Sequence, residues 1–345
     1  MLGFGADHTG DPNGGRHVSD RPLSVGVVGV GSMGRNHARV YGSLPGADLV
    51  GVTDEATDRA REVASEYGTE VHSLSALLDR ADAVSVAVPT PAHADVVRRC
   101  IDAGVDVLVE KPFVADAEVG ADLLAAADER NVTVQVGHVE RFNPAIDALF
   151  DLLDGERPLA VEAHRLGPPL DRDVGDGVVL DLMIHDIDVV LALADAPLAS
   201  VSASGTADGG YATAQLAFED GLVATLTASR VTQRKVRTLD VTTRDRLFEV
   251  DYTDQTLQAH RHSRPEYESS DGDVHYRHES VTERPLIASD EPLKRELSSF
   301  VDTVEEAGDP RVSGQDALRA VQLAQRIAGQ AERTPESTEV PEVVK

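Results

Sequence analysis

The sequence predicts two domains of different class: an α/β domain on a parallel sheet, then an α+β domain with a mostly antiparallel sheet. Three observations predict this. Up to about residue 138, short strands apolar throughout alternate with helix-length amphipathic segments, the pattern of βαβ units whose sheet is covered on both faces. Beyond that point, short strands with in/out alternation follow one another through turn-rich pairs such as Asp208-Gly209-Gly210 and Asp220-Gly221. The length of 345 residues suits two domains of roughly 150 residues each.

Leu23 to Val30 is the first strand; it ends in Gly29-Val30-Gly31-Ser32-Met33-Gly34 and runs into a helix. Asp48 to Thr53 is the second strand. Glu55 to Tyr67 follows as a helix, with Ala60, Val63, Ala64 and Tyr67 at helical spacing. Three further strands are expected at Ala83 to Val88, Val105 to Val109 and Val132 to Gly137, separated by helices Ala92 to Ala103 and Ala115 to Arg130. The second domain opens with a helix from Asn143 to Leu153, a strand from Leu159 to Arg165 and one long helix from Val178 to Ala194. Six short strands between Ala199 and His260 come next. Two helices, Pro292 to Ala307 and Gly314 to Ala331, finish the fold.

The expected boundaries are a disordered leader over 1–21, an α/β domain over 22–138, an α+β domain over 139–335 and a flexible tail over 336–345. The leader lacks a basic segment followed by an apolar one, so it does not read as a signal peptide.

Charge excludes several functions. Lys+Arg number 32 and Asp+Glu 60, a net charge of −28. A nucleic-acid binder needs a basic footprint, and no run is long and apolar enough to span a membrane. The single cysteine, Cys100, excludes a disulfide framework and a cysteine-built metal site, and fits a reducing cytoplasm. Only four residues are lysine: Lys111, Lys235, Lys294 and Lys345. So acidic a chain repels itself in dilute buffer, and about 1 M salt, with a Debye length near 3 Å, screens that repulsion. A high-salt cytoplasm is the expected setting.

Three motifs carry chemistry. The first is Gly29-x-Gly31-x-x-Gly34 between a strand and a helix, with Asp54 at the end of the second strand. In that context it is a Rossmann fingerprint: Gly29 for the tight turn, Gly31 for close approach to a pyrophosphate at the helix N-terminus, flanked by Ser32 and Met33. Asp54 suits ribose hydroxyls and repels a 2′-phosphate, so NAD is favoured over NADP, although Arg59 nearby blurs the distinction. FAD is a further alternative. The second motif is Glu110-Lys111-Pro112 at the end of the fourth strand, where ligands bind an open parallel sheet. A lysine there can hold a substrate hydroxyl or support proton transfer.

The third motif is Asp181-Leu-Met-Ile-His185-Asp186-Ile-Asp188. Asp181 and His185 are expected on one helix face, where a carboxylate can orient an imidazole as general base. The alternatives are a helix-face ion pair, or zinc held through His185 and the aspartates. No second histidine stands at ligand spacing, so no metal is expected.

Together with Val88-Pro89-Thr90-Pro91-x-His93, these motifs make residues 22–335 resemble the Gfo/Idh/MocA oxidoreductases. The resemblance implies an open antiparallel sheet used for oligomer contacts, giving a homodimer or homotetramer. It also implies Lys111, Asp181 and His185 around a sugar or cyclitol hydroxyl, and Pro89, Thr90, His93 and Glu110 beside the cofactor. A narrower resemblance rests on Gly137-His138-Val-Glu140-Arg141-Phe142-Asn143-Pro144 and Arg165-Leu-Gly167-Pro168. It is to UDP-N-acetylglucosamine 3-dehydrogenases, and implies oxidation of the sugar 3-hydroxyl to a ketone. In that picture Arg141 or Arg165 pairs with the diphosphate and Asn143 with sugar hydroxyls. The alternative for 140–144 is a helix cap with Pro144 in the first turn. Inositol or free-sugar oxidation, and a non-catalytic sugar-binding regulator, are the competing functions.

Overall fold

The computed structural model describes residues 21–169, 177–262, 266–270, 273–277 and 279–332. The expected leader up to residue 20 and the tail over 336–345 lie outside them.

Five parallel strands form the first sheet: β1 (Leu23–Val28), β2 (Ala47–Thr53), β3 (Ala83–Val86), β4 (Asp106–Glu110) and β5 (Val134–Gly137), in the order β2-β1-β3-β4-β5. The order reverses beside β1, so the carboxyl ends of β1 and β3 open a crevice at the switch point. Helices α1 (Ser32–Tyr41) and α2 (Thr57–Tyr67) cover one face; α3 (Leu74–Leu78), α4 (His93–Ala103) and α5 (Ala117–Arg130) cover the other. Helix α3 is absent from the sequence expectation. Five residues are too few to show a period, and its signal is the Ser73 side chain, which accepts from Ala76 N–H. Cys100 is buried in α4, and burial pushes its thiol up to about 12.

The second sheet has eight strands: β6 (Ala160–Leu166), β7 (Leu198–Gly205), β8 (Tyr211–Phe218), β9 (Val223–Ser229), β10 (Val236–Thr242), β11 (Arg246–Asp251), β12 (Thr256–His262) and β15 (Ser280–Glu283). The intervening β13 (Glu266–Ser270) and β14 (Asp273–Arg277) pair only with each other. All neighbours in the large sheet run antiparallel except β6 and β9. Strand β8 alternates strictly: Ala212, Ala214, Leu216 and Phe218 are buried, while Tyr211 and Gln215 are exposed. The buried face packs on α6 (Pro144–Leu153), α7 (Ile184–Leu193) and α9 (Gly314–Ala331).

Helix α8 (Pro292–Glu306), which follows the second sheet in the chain, packs on the first: Leu293, Leu297, Phe300, Val301 and Val304 share a core with Val25, Val27, Ala38 and Tyr41 of β1 and α1. The physical reason is coverage: the parallel sheet needs both faces sealed, and the apolar stripe of α8 completes one of them. The expected helix over 178–194 is also broken. Val179–Met183 is a π-helical turn, and only from Ile184 is the helix regular. No helix among the described residues is long and apolar enough to cross a membrane.

Candidate active site

The carboxyl edge of the parallel sheet is shaped to receive a dinucleotide. Gly29 has φ +84, and a Cβ there would lie 2.8 Å from the Ala87 carbonyl oxygen. A Cβ on Gly34 would come within 1.8 Å of the Gly29 oxygen, so these two glycines serve the turn and the strand–helix contact. Gly31 is different. Its φ of −67 and ψ of −154 suit any residue, and a Cβ there would meet nothing within 4 Å. It caps α1 with no side-chain hydrogen bond and no acid in the first turn, whereas Ser73, Asp116, Asn143 and Ser313 cap α3, α5, α6 and α9. Open space before a helix end bare of side-chain caps fits a pyrophosphate. Asp54 completes the cradle: its Oδ2 accepts from Val30 N–H at 2.8 Å and its Oδ1 from Ala56 N–H at 2.8 Å. Burial resists its ionisation, but Arg59 and these two N–H groups outweigh burial and hold the carboxyl below its usual range. Arg59 lies half exposed over Asp54, with Nη2 2.7 Å from Oδ1.

Deeper in the crevice, Lys111 leaves β4 at a cis Lys111–Pro112 bond. Its Nζ donates to the Asp181 carbonyl at 2.6 Å and to Asp181 Oδ1 at 3.0 Å. The other carboxylate oxygen accepts from Arg230 Nη2. Burial opposes the charge on Asp181, yet Lys111 and Arg230 hold its carboxyl low. The π turn carries Asp181, and such turns are frequent at functional sites. It also separates the expected pair: Asp181 makes no hydrogen bond to His185, because both its oxygens face cations. His185 instead sits edge-on to His138, ring centroids 6.4 Å apart. Its Nδ1 is buried without a partner. Burial, then the charges of Lys111 and Arg165, push its imidazole well below the ordinary range, so it is neutral at pH 7.

Other expected site residues are bonded within the protein. Glu110 is buried and its Oε1 lies 2.9 Å from His37 Nε2, tying β4 to α1; His37, then Lys111, keep it ionised against burial. His93 joins two turns, Nε2 2.8 Å from the Val88 carbonyl and Nδ1 3.0 Å from the Pro112 carbonyl. Pro89 caps, and Thr90 begins, the 3-10 turn after β3. Asn143 caps α6 through Ala145 N–H and donates to the Tyr252 carbonyl at 3.0 Å, with only 1% of its surface exposed. That is the capping alternative, with Pro144 at the first turn. Arg165 is buried between Asp186, which takes Nε at 2.9 Å and Nη2 at 2.8 Å, and Glu140, which takes Nη1 at 2.8 Å. Its guanidinium is thus occupied within the protein rather than offered to a diphosphate. Arg141 faces Asp188, at 3.7 Å, in a separate cavity of about 290 Å³ between α7 and α9. Among the described residues no His, Cys, Asp and Glu cluster could hold a metal.

The site also contains residues that the motifs do not name: Arg230, His37 and Arg237. Their shared signal is weak in sequence, because each acts through a partner distant along the chain.

Comparison with known proteins agrees with this geometry. Residues 23–138 match the oxidoreductase family with NAD-binding Rossmann fold, and residues 157–258 match the GFO/IDH/MocA C-terminal domain. A UDP-N-acetylglucosamine 3-dehydrogenase of Acidithiobacillus ferrooxidans is 40% identical over 240 residues, 68% of this chain and 76% of that protein. An inositol 2-dehydrogenase of Rhizobium meliloti is 27% identical over 88% of this chain and 94% of its own. The solved structure of the Acidithiobacillus enzyme GnnA superposes with a TM-score of 0.83 at 33% identity, covering 90% of this chain and 98% of that one.

Proposed function

The chain belongs to the Gfo/Idh/MocA family of oxidoreductases, and from that premise we propose that it oxidises the 3-hydroxyl of UDP-N-acetylglucosamine to a ketone. The observation that carries oxidation is the meeting of Lys111, Asp181 and a neutral His185 at the carboxyl edge of the dinucleotide sheet. The choice of sugar is supported by the relative at 40% identity.

NAD is the expected cofactor, held by the α1 terminus and Asp54, and when bound it supplies the hydride acceptor. The protein's own groups handle the proton and the oxygen. His185 accepts the hydroxyl proton, as a neutral imidazole can at pH 7. Lys111 donates a hydrogen bond to the same oxygen and stabilises the negative charge that develops as the proton leaves. Asp181 fixes Lys111 through two oxygens, and Arg230 fixes Asp181. Glu110 and His93 hold the turns that aim Lys111. The intact Lys111–Asp181–His185 set favours an enzyme over a sugar-binding regulator.

The test offers NAD with UDP-N-acetylglucosamine, free N-acetylglucosamine and myo-inositol, and follows reduced nicotinamide by its near-ultraviolet absorbance. Turnover of the UDP-sugar is expected; turnover of inositol alone overturns the substrate, and no turnover of any polyol despite cofactor binding overturns catalysis.

Two further proposals concern setting and assembly. The exposed face of the eight-stranded sheet joins copies into a homodimer or homotetramer, which sedimentation would show as a mass two or four times that of the chain. The surface charge is an adaptation to a high-salt cytoplasm. The melting temperature should rise by several degrees as KCl is raised toward about 2 M, because screening removes self-repulsion. A flat or falling curve refutes the adaptation.

A further inference from the structure

Arg165 and Arg141 are the sequence's candidates for a diphosphate; Arg165 is taken up by Asp186 and Glu140, and Arg141 faces Asp188 in a separate cavity. The fold offers two other cations. The two longest stretches of this chain without Asp or Glu are residues 21–47 and 221–239. The first carries the glycine fingerprint and α1. The second runs from β9 into β10 and holds Arg230, Arg234, Lys235 and Arg237. In a chain of net charge −28 such gaps stand out, and the fold brings them together. Met33, Asn36 and Arg39 of α1 line one cavity of about 460 Å³ with Lys235, Arg237 and Tyr252.

The two cations at the start of β10, Lys235 just before it and Arg237 within it, lack carboxylate partners. Lys235 is exposed and makes no hydrogen bond or ion pair among the described residues. Arg237 donates only to carbonyls, through Nη1 to Leu166 at 2.7 Å and to Val236 at 3.0 Å. Arg39, on the opposite wall, is already paired with Glu291. The cavity adjoins the chemistry. Arg237 stands opposite Arg165 in the β10–β6 register, and Arg165 holds Asp186, the neighbour of His185. Val139 and Glu140, which also line the cavity, follow His138 directly. The field of Arg237 reaches His185, where it is one of the charges that disfavour the imidazolium.

We propose that Lys235 and Arg237 bind the diphosphate of the nucleotide-sugar substrate in this cavity, between α1 and the start of β10. The inference rests on the substrate reading above and adds its anion subsite. An arginine fork with a neighbouring ammonium is the donor set a diphosphate takes. Unneutralised cations in so acidic a molecule also select an anionic ligand over a neutral polyol. The remaining nucleotide lies against Asn36, while the sugar reaches Lys111 and His185.

The experiment uses the whole chain with NAD. It compares wild type with Lys235→Ala, Lys235→Arg and Arg237→Gln, reading kcat and KM for both substrates and the affinity for UDP alone by calorimetry. Lys235→Ala is expected to raise KM for the UDP-sugar about tenfold, since one charge-assisted contact is removed. Its kcat and its KM for NAD should stay within about twofold. UDP should bind weaker by a similar factor, and Lys235→Arg should recover most of the loss. Arg237→Gln should raise the KM for the UDP-sugar and weaken UDP by a similar factor, and its melting temperature is read to exclude misfolding. Wild type that turns over the UDP-sugar, with Lys235→Ala unchanged, overturns the subsite alone. A rise confined to the KM for NAD assigns these cations to the cofactor and also overturns it. Wild type that neither binds UDP nor turns over the UDP-sugar overturns the substrate reading, and the subsite with it.

Discussion

Replacing His185 by alanine is expected to lower turnover by about 10²-fold or more, with NAD still bound. The cofactor contacts assigned to the α1 terminus and Asp54 involve no part of His185, so binding and catalysis should separate in the kinetics. The pH profile carries a second, sharper test. Burial first, and the charge of Lys111 next, hold the imidazole well below its ordinary range. A base of that kind is deprotonated at pH 7 and stays so as pH falls through the normal histidine range near 6.5. The acid limb of kcat/KM should therefore lie below about pH 6.5. Lys111→Ala should also cost about 10²-fold in kcat, through loss of the hydrogen bond to the reacting oxygen. It removes a positive neighbour of His185 as well, so its residual activity should show an acid limb moved to higher pH. A limb that stays in place would mean that Lys111 does not act on the base; undiminished turnover in either variant would remove that residue from the mechanism.

What the sequence made legible was the periodic part and the part written in contiguous motifs. The parallel strands read as apolar runs because both faces of their sheet are covered, and the Gly29 to Gly34 fingerprint lies where the sheet order reverses. Lys111, Asp181 and His185 share one crevice, as their motifs suggested. The pairing among them was not legible. Helical spacing set Asp181 beside His185, but a π turn and two cations from elsewhere, Lys111 and Arg230, turn the carboxylate away. Arg230 follows Asp181 by 49 positions and Lys111 precedes it by 70, and no local pattern encodes such separations. Glu110, His93 and Asn143 show what a motif leaves out. Each belongs to a motif near the chemistry, yet each satisfies protein groups that would otherwise be buried unpaired. Position in a motif indicated proximity to the site, and only burial and partners separated contact from support. Helix α8 shows the same limit at the scale of the fold, since its amphipathic stripe was visible and the sheet it covers was not.

Arg165→Met should unfold the protein at markedly lower temperature. Arg165 is 4% exposed and lies between two carboxylates, Asp186 at 2% side-chain exposure and Glu140 at 16%. The Tyr252 ring lies 5.0 Å from the guanidinium carbon and closes another side. Burial disfavours the charge, but Asp186 and Glu140 more than reverse this and hold the guanidinium firmly protonated. Removing it leaves Asp186 charged and buried without its fork, a change that typically costs about 3–5 kcal/mol. For a chain of this size the melting temperature should fall on the order of ten degrees. The double variant Arg165→Met with Asp186→Asn should regain part of the loss, because the stranded charge has gone with its partner. The same measurement separates the two roles considered for this arginine. A diphosphate ligand would raise the KM for a nucleotide sugar and leave the melting temperature nearly unchanged. A structural brace lowers the melting temperature even when no ligand is present, and recovers it through the second substitution.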